Sequence, residues 1–284
     1  MKKALLLLAL ALSFPASQAG AQDLLERTKA GEIVRIGFTN EAPYSSASSS
    51  GELVGSDIVL LREVLSRMGI SEFDGVLTQF GALIPGLKAR RFDIVAAGLY
   101  INPDRCKQVA FSEPNFAVGD ALLVKAGNPK KLHSLTDVAN DPSIVLGYQT
   151  GGGAIAEHAF ALGVKKEQMV TLPDQPAFIA ALKADRVDAV LYPALSVQMI
   201  VDTAKDPAVE RATPFEQPII DGKPALGIGG YAFRPEDQAF VDEFNKHLLE
   251  IVKSPGYVDM IAPFGFTASE VPQGITTAEL CAAK

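Results

Sequence analysis

The sequence has no tryptophan, only two cysteines and three histidines, and fewer basic than acidic residues. With 26 Lys and Arg against 33 Asp and Glu, it has no basic stripe that could follow a phosphate backbone, so nucleic acid is not expected as a partner. Two cysteines cannot staple 284 residues, which excludes a disulfide-rich mini-scaffold. The histidines lack metal-type spacing, and we predict neither a metal nor a cofactor. The 48% apolar content and the length instead predict two domains with sizeable cores.

No segment reaches the 18 apolar residues expected of a transmembrane helix. The apolar run Ala4–Phe14 follows a positive start at Lys2 and Lys3 and leads to Ala19-Gly20-Ala21, a small-x-small pattern. This predicts a signal peptide over 1–21, with Gln22 as the mature start and the periplasm as the location. Removing both lysines leaves 24 basic against 33 acidic residues, a net charge of −9. The alternative is a buried N-terminal helix.

The predicted periplasmic location guides the interpretation of the two cysteines. The periplasm is oxidising, and an even number of cysteines in an exported protein favours one disulfide, between Cys106 and Cys281. The alternative is two buried free thiols.

Strand and helix patterns alternate along the chain, which favours parallel sheets built from strand–helix–strand units. After a charged helix over 23–30, residues 33–38 form a predicted buried strand, followed by a polar, Ser-rich loop over 40–52. Ser56–Met68 places apolar side chains at helical spacing, and Gly69 closes the helix.

An internal repeat predicts two similar α/β lobes. Residues 84–95 (IPGLKARRFDIV) resemble residues 179–190 (IAALKADRVDAV), each a helix end, a basic turn and a strand beside an Asp. The alternative is convergent patterning of two amphipathic segments. Two apolar stretches, Ala121–Val124 and Ala225–Phe233, are predicted to cross between the lobes. Lobe 1 would be 22–117 plus 228–284, and lobe 2 would be 118–227, with a ligand cleft between them.

Three segments resemble a known family. FGALIPGLKARRFDIV from Phe80, AGLYINPDR ending at Arg105 and VAFSEP from Val109 are similar to the polar-amino-acid solute-binding proteins of ABC importers. The resemblance covers essentially the whole mature chain. It is greatest to ectoine- and hydroxyectoine-binding members, through NEAPY from Asn40, the Arg105-Cys106 pair, Gly151-Gly152-Gly153 and the ending LCAAK. It implies a two-lobe α/β periplasmic binding protein (type II), each lobe a mixed sheet flanked by helices, joined by two hinge strands. Such a protein is expected to be a monomer and to hand its ligand to an ABC permease at the inner membrane.

Arg105 is the predicted carboxylate-binding residue. It follows a strand through a Pro-containing turn, the family carries its carboxylate-binding Arg there, and a guanidinium fork matches a carboxylate in a way that Lys cannot. Gly151, Gly152 and Gly153 lie between a strand and a helix, where backbone N–H groups could approach an anion. The alternatives are a solvated Arg and a flexible linker.

Three aromatic residues, Tyr44, Phe80 and Tyr100, lie at predicted strand ends or in the loops that leave them. As a set they predict a cage for a diffuse cation, and the alternative is that all three are core residues. Glu41 would accept the N–H groups of that cation and supply its countercharge, although a loop Glu can simply be exposed.

Pro193 carries the prediction of ligand class. Related proteins that bind α-amino acids have an Asp shortly after the corresponding strand, which pairs with the ligand's ammonium. With Pro193 at this position, a compact ammonium would be poorly satisfied, whereas a delocalised cation tolerates aromatic faces. The predicted ligand is therefore a small zwitterion, ectoine or hydroxyectoine.

Three alternatives remain open. An amino-acid or opine binder of the same fold would also use Arg105. A periplasmic dehydratase-type enzyme would need a positioned acid–base pair, and only Glu41 is a candidate, so we predict no catalytic residue and no enzyme. A solute sensor that docks to a membrane receptor would share the pocket.

Overall fold

The computed structural model describes residues 23–282. The predicted signal peptide, 1–21, lies outside the described residues. Between residues 23 and 282, no helix combines the length and the apolar character needed to cross a bilayer.

Strands and helices alternate through most of the chain. The strands are β1 (Val34–Phe38), β2 (Ser46–Ala47), β3 (Leu53–Val54), β4 (Phe73–Leu77), β5 (Ile94–Val95), β6 (Ala110–Phe111), β7 (Phe116–Val118), β8 (Asp120–Lys125), β9 (Leu146–Gln149), β10 (Met169–Leu172), β11 (Ala189–Pro193), β12 (Val209–Arg211), β13 (Ile219–Ile220), β14 (Lys223–Pro224), β15 (Gly227–Gly229) and β16 (Ala232–Phe233). The helices are α1 (Leu24–Lys29), α2 (Ser56–Arg67), α3 (Leu83–Lys88), α4 (Pro103–Cys106), α5 (Leu135–Asn140), α6 (Gly153–Ala161), α7 (Gln175–Lys183), α8 (Ala194–Ala204), α9 (Gln238–Val252), α10 (Gly256–Ile261) and α11 (Thr277–Ala282).

The two lobes are each built on a mixed five-stranded sheet. In lobe 1 the order is β4-β1-β5-β16-β6, with β1 parallel to β4 and β5, and β16 antiparallel to its neighbours. In lobe 2 the order is β10-β9-β11-β8-β12, with β9 parallel to β10 and β11, and β8 antiparallel to its neighbours. The fold is therefore the two-lobe α/β architecture predicted from the sequence.

Helix α2 shows why these segments fold as they do. Its side chains at Ile58, Leu61 and Val64 are spaced by one helical turn and are fully buried, each stabilising the fold by about 1.5–3 kcal/mol relative to exposure. The helix ends at Arg67, Met68 caps it, and Gly69 takes the left-handed conformation with a φ of +79°. The predicted helix and its Gly stop are confirmed.

The internal repeat has a shared local structure. After α3, Arg90 has a φ of 55°, and after α7, Asp185 has a φ of 56°. The two Asp residues that precede the next strands act alike, because Asp93 accepts the N–H of Arg35 and Asp188 accepts the N–H of Val145. Each Asp therefore ties a strand entry to the neighbouring strand.

The chain crosses between the lobes through an antiparallel ribbon of β7 and β15. The predicted crossing at Ala121–Val124 was wrong, because this segment lies in β8, between β11 and β12 of the second sheet. Strand β7 and the Ala121–Val124 part of β8 are both buried and apolar, so apolar content did not distinguish the hinge strand from a central strand. The other stretch, Ala225–Phe233, contains β15 and β16.

The predicted lobe limits fall inside this ribbon. A cut after residue 117 divides β7 and a cut after residue 227 divides β15, so 22–117 plus 228–284, and 118–227, remain the proposed lobes. The C-terminal helices pack on lobe 1, where α9 contacts α2 and α11 contacts α4.

Two glycines of β15 make room for aromatic rings. A Cβ atom on Gly227 would lie 1.9 Å from Cζ of Tyr100, and one on Gly229 would lie 2.1 Å from Cζ of Phe116. Any side chain at either position would displace a ring, so glycine is required for this close approach.

Candidate functional site

A cavity lies between the lobes, at the carboxyl ends of the parallel strands of both sheets, where α/β folds bind ligands. The cavity has a volume of about 20 Å³, enough for about one water molecule, so a ligand can enter only when the lobes move apart. Its lining residues are Glu41, Phe80, Gly98, Tyr100 and Arg105 from lobe 1, and Gln149, Gly152, Ala154, Ile155, Tyr192 and Pro193 from lobe 2. A wider groove continues outward past Glu41, Phe80 and Gln149. Both lobes therefore supply the walls.

Arg105 reaches across this cavity from helix α4. The residue is only 8% exposed, and its guanidinium donates from Nη1 to the carbonyl of Tyr100 at 2.7 Å and from Nη2 to the carbonyl of Gly151 at 2.9 Å. Burial lowers the pKa of Arg105 to about 10, which leaves it charged at neutral pH. A buried cation thus bridges the two lobes at one end of the cavity.

Two of the three aromatic residues predicted for a cage line the cavity. The Phe80 ring lies 5.7 Å from Cζ of Arg105, measured to the ring centroid, within cation–π range. Tyr100 packs against the hinge at Gly227. Both rings also belong to core clusters. Each is therefore a core residue, as the alternative proposed, and also a residue that lines the cavity.

The placement of Tyr44 in the cleft is corrected by the structure. Tyr44 is fully buried beneath Gly98, where its ring centroid lies 4.8 Å from that of Phe116 and 5.9 Å from that of Phe266. Within the predicted polar loop the chain turns at this point, where the N–H of Tyr44 bonds to the carbonyl of Glu41, and the side chain lies in the core.

Tyr192 of lobe 2 supplies the third ring in its place. It lies in β11, is almost completely buried and donates from its hydroxyl to Oε1 of Gln149 at 3.3 Å. We did not predict Tyr192 or Gln149. Both lie at the ends of strands, the kind of position from which Tyr100 was predicted to be a site residue. Ala154 and Ile155 on the first turn of α6 were also missed.

Glu41 is a buried acid on the cavity wall. It is 4% exposed, and its Oε2 has no hydrogen-bond partner among residues 23–282. Burial raises the pKa of Glu41 to about 7, and the nearby polar groups of Tyr192 and Gln149 oppose this rise. The group therefore titrates near neutral pH and has capacity for a cationic donor.

The three glycines of the 151–153 loop differ in what they contribute. Gly151, with a φ of +84°, offers its carbonyl to Arg105, and a Cβ atom on it would lie 2.6 Å from Cα of Gly81 in lobe 1. Gly152 lines the cavity, but its N–H bonds to the carbonyl of Gln149. Gly153 is the first residue of α6, whose leading N–H groups have no intrahelical acceptor. The backbone N–H groups of this loop that remain available to an anion are therefore those at the start of α6.

Pro193 lines the cavity at the end of β11, as its position in the sequence suggests. Its strand neighbour Asp120 is fully buried and accepts a hydrogen bond from Nδ1 of His158, behind the cavity wall. Among the lining residues, Glu41 is the acid.

Cys106 and Cys281 are joined in a disulfide, with Cα atoms 5.7 Å apart across a sequence separation of 175. The bridge lies next to Arg105 and links α4 to α11.

The other two histidines have partners that do not line the cavity. His133 contacts the carbonyl of Pro214, and His247 contacts Glu243. In the part of the chain that the structure describes, no group of three His, Cys, Asp or Glu residues could hold a metal ion.

Comparison with known proteins extends over nearly the whole chain. The model of the bacterial extracellular solute-binding proteins, family 3, matches residues 34–275. A probable amino-acid ABC transporter periplasmic-binding protein, y4tE of Sinorhizobium fredii, is 38% identical over 96% of this chain and 90% of that protein. The lysine/arginine/ornithine-binding periplasmic protein of Escherichia coli is 31% identical over 92% of this chain and 95% of its own.

Among solved structures, EhuB in complex with hydroxyectoine superposes with a TM-score of 0.80 and 33% identity. The alignment covers 93% of this chain and all of that one. Fold, cleft and sequence agree, and the chain belongs to the bacterial extracellular solute-binding proteins, family 3.

Proposed function

We propose that this protein is the periplasmic solute-binding component of an ABC importer, and that it captures ectoine or hydroxyectoine and delivers it to a permease at the inner membrane. One observation carries the proposal: a buried guanidinium and a buried carboxylate share a small cavity walled by aromatic rings. A zwitterion with a carboxylate and a delocalised cation complements this arrangement. Export through the signal peptide and action as a monomer are part of the proposal.

The carboxylate of the ligand is assigned to Arg105 and the first turn of α6. A charge-assisted pair with a buried guanidinium contributes about 1.5–3 kcal/mol. The N–H groups of Gly153 and Ala154, the first two residues of α6, and the helix dipole add attraction for a negative charge.

The cation is assigned to Glu41 and the rings of Phe80, Tyr100 and Tyr192. Each well-placed ring contributes about 0.5–2 kcal/mol to binding a desolvated cation. With the Arg105 pair, these terms approach the roughly 8 kcal/mol of micromolar binding. Pro193 offers no countercharge for a compact ammonium, so a ring amidinium fits better than an α-amino group.

Capture of a basic amino acid is the second candidate. The unpartnered Oε2 of Glu41 also suits a guanidinium, and a relative from Escherichia coli is named for binding lysine, arginine and ornithine. We propose no enzymatic activity, because Glu41 has neither a second acid nor a histidine beside it among the lining residues.

The test is a ligand panel with the mature protein. Thermal-shift measurements with ectoine, hydroxyectoine, arginine, lysine, histidine, opines, proline and betaines select the binders, and calorimetry gives their affinities. Ectoine or hydroxyectoine should bind with micromolar or better affinity and at least tenfold more tightly than any basic amino acid. Preferential binding of arginine or an opine would replace the proposal with the second candidate.

A further inference from the structure

Arg105 lies on a helix too short to hold its own position. Helix α4 has four residues, Pro103–Cys106, and isolated helices need about 12–15 residues to be even marginally stable in water. Within the segment, Asn102 caps the helix by accepting the N–H of Arg105 at 2.9 Å. The orientation of the guanidinium must therefore be set by what α4 is attached to.

The attachment that follows Arg105 directly is the disulfide to α11. This C-terminal helix is fixed to lobe 1 at its start, where Thr277 donates from its N–H to Oε2 of Glu113 at 3.1 Å and from Oγ1 to the carbonyl of Ser112 at 2.6 Å. The disulfide thus connects α4 to an anchored element rather than to a free tail.

Packing connects the same helix to the aromatic wall. Leu280, Cys281 and Cys106 pack on the core cluster that contains Phe80 and Ile101. The C-terminal helix therefore supports both the helix that carries Arg105 and the cluster that holds the ring facing it.

We propose that the Cys106–Cys281 disulfide and helix α11 form a positioning element for Arg105, which holds the guanidinium at the bridging point between Tyr100 and Gly151. The inference rests on the proposed function only in taking Arg105 as the carboxylate-binding residue. Its alternative is a disulfide that stabilises the fold as a whole and has no particular effect on ligand binding. The two differ in whether the effect of the disulfide depends on Arg105.

A double-mutant cycle measures that dependence. Calorimetry on the mature protein gives the affinity of the wild type, C106A/C281A, R105A and the combined variant, with ectoine as the probe, or L-arginine if the wild type binds that instead. Both probes carry the carboxylate. Removing the disulfide should weaken binding at least fivefold when Arg105 is present and less than twofold when it is absent.

Equal factors in both backgrounds, or an unchanged affinity in C106A/C281A, would overturn the positioning role while leaving Arg105 in the site. An R105A variant that binds as the wild type does would overturn the carboxylate assignment and this inference with it, as would a wild type that binds neither probe.

Leu280→Ala is a second test that remains available if C106A/C281A does not fold. It removes tail packing while the disulfide stays intact, and we expect a two- to fivefold weaker affinity that again disappears in the R105A background. Melting temperatures of all variants separate folding from binding. A large fall in melting temperature with unchanged affinity of the folded fraction contradicts the proposal.

Discussion

The two lobes share a framework and differ at its edge. Both sheets place three parallel strands beside an antiparallel return strand, and in both an Asp before the third parallel strand accepts an N–H from the first. At the carboxyl ends of those strands the likeness ends. Lobe 1 supplies both charged groups, Arg105 and Glu41, whereas lobe 2 supplies a glycine loop, a tyrosine and a proline.

This difference suggests a division of labour between the lobes. We expect Arg105 to keep its position when the cleft is open, because it is held by the carbonyl of Tyr100 in its own lobe. Lobe 2 completes the enclosure through Gly151 and Tyr192. We expect changes in lobe 1 to affect ligand affinity most and changes in lobe 2 to act mainly through closure.

Removing the guanidinium should have the largest effect. Arg105→Ala should weaken ligand binding by about 30- to 5,000-fold, the equivalent of 2–5 kcal/mol for leaving a buried charge unpaired. Calorimetry measures the loss. Arg62→Ala is the matched control, since that guanidinium lies over Phe73, away from the cavity. A loss under threefold for Arg105→Ala would place the carboxylate elsewhere.

Acidification should weaken binding through Glu41. The folded protein keeps a proton on Glu41 up to about pH 7, above the ordinary pKa of 4.5, because the group is buried. A cationic ligand favours the carboxylate, so affinity should be flat above pH 7 and fall by up to tenfold per pH unit below it. Glu41→Gln should bind weakly at every pH without this slope.

In the unliganded protein, a rise in pH through the titration of Glu41 lowers the free energy of unfolding, whereas it raises ligand affinity. Between pH 4.5 and 7 the folded state binds more protons at Glu41 than the unfolded state, so this group's contribution to stability falls as pH rises. Chemical unfolding of Glu41→Gln should lack that decline. A ligand affinity with the same pH profile in wild type and Glu41→Gln would show that Glu41 does not meet the cation.

A side chain in the lobe 2 loop should impair closure. In Gly151→Ala, the new Cβ atom would lie 2.6 Å from Cα of Gly81, and alanine would have to adopt a left-handed backbone conformation. The strain is about 1–2 kcal/mol, so ligand affinity should fall about five- to thirtyfold. Gly153→Ala is the control, because nothing lies within 4 Å of its Cβ position. Solution scattering should show less compaction on ligand addition for Gly151→Ala only. Equal behaviour of the two variants would contradict a role in closure.

The smallest differences are expected at the tyrosine hydroxyls. Tyr44→Phe removes a buried hydroxyl that has no partner among residues 23–282, and affinity should change by less than twofold. Tyr192→Phe removes the hydrogen bond to Gln149 beside Glu41 and should weaken binding about two- to tenfold. Calorimetry measures the ligand affinity of both variants. A larger loss for Tyr44→Phe than for Tyr192→Phe would indicate that Tyr44 contacts the ligand.

Local sequence patterns predicted the framework well. Near neighbours in the chain encode the spacing of α2 and its Gly stop, the similar turns after α3 and α7, and the position of Arg105 after a strand. Such features depend on periodicity and on short-range hydrogen bonds, which a single sequence displays directly.

Long-range geometry explains what was missed. The ring of Tyr44 packs against Phe116 and Phe266, which lie far from it in the sequence. The hinge strand β7 has the same apolar character as Ala121–Val124 in the central strand β8. The contact of Gly151 with Gly81 joins residues of different lobes. None of these is visible in the residue types alone.

Gly227 couples the hinge to the binding wall. Because the Tyr100 ring occupies the volume of a missing side chain in β15, twisting the ribbon during opening must shift the surface on which that ring rests. With Tyr100 in its proposed role, ligand contact and interlobe rotation are linked at one point of the backbone, without an intervening relay of side chains. Evolution toward a new solute could therefore alter the resting angle of the lobes by resizing this ring.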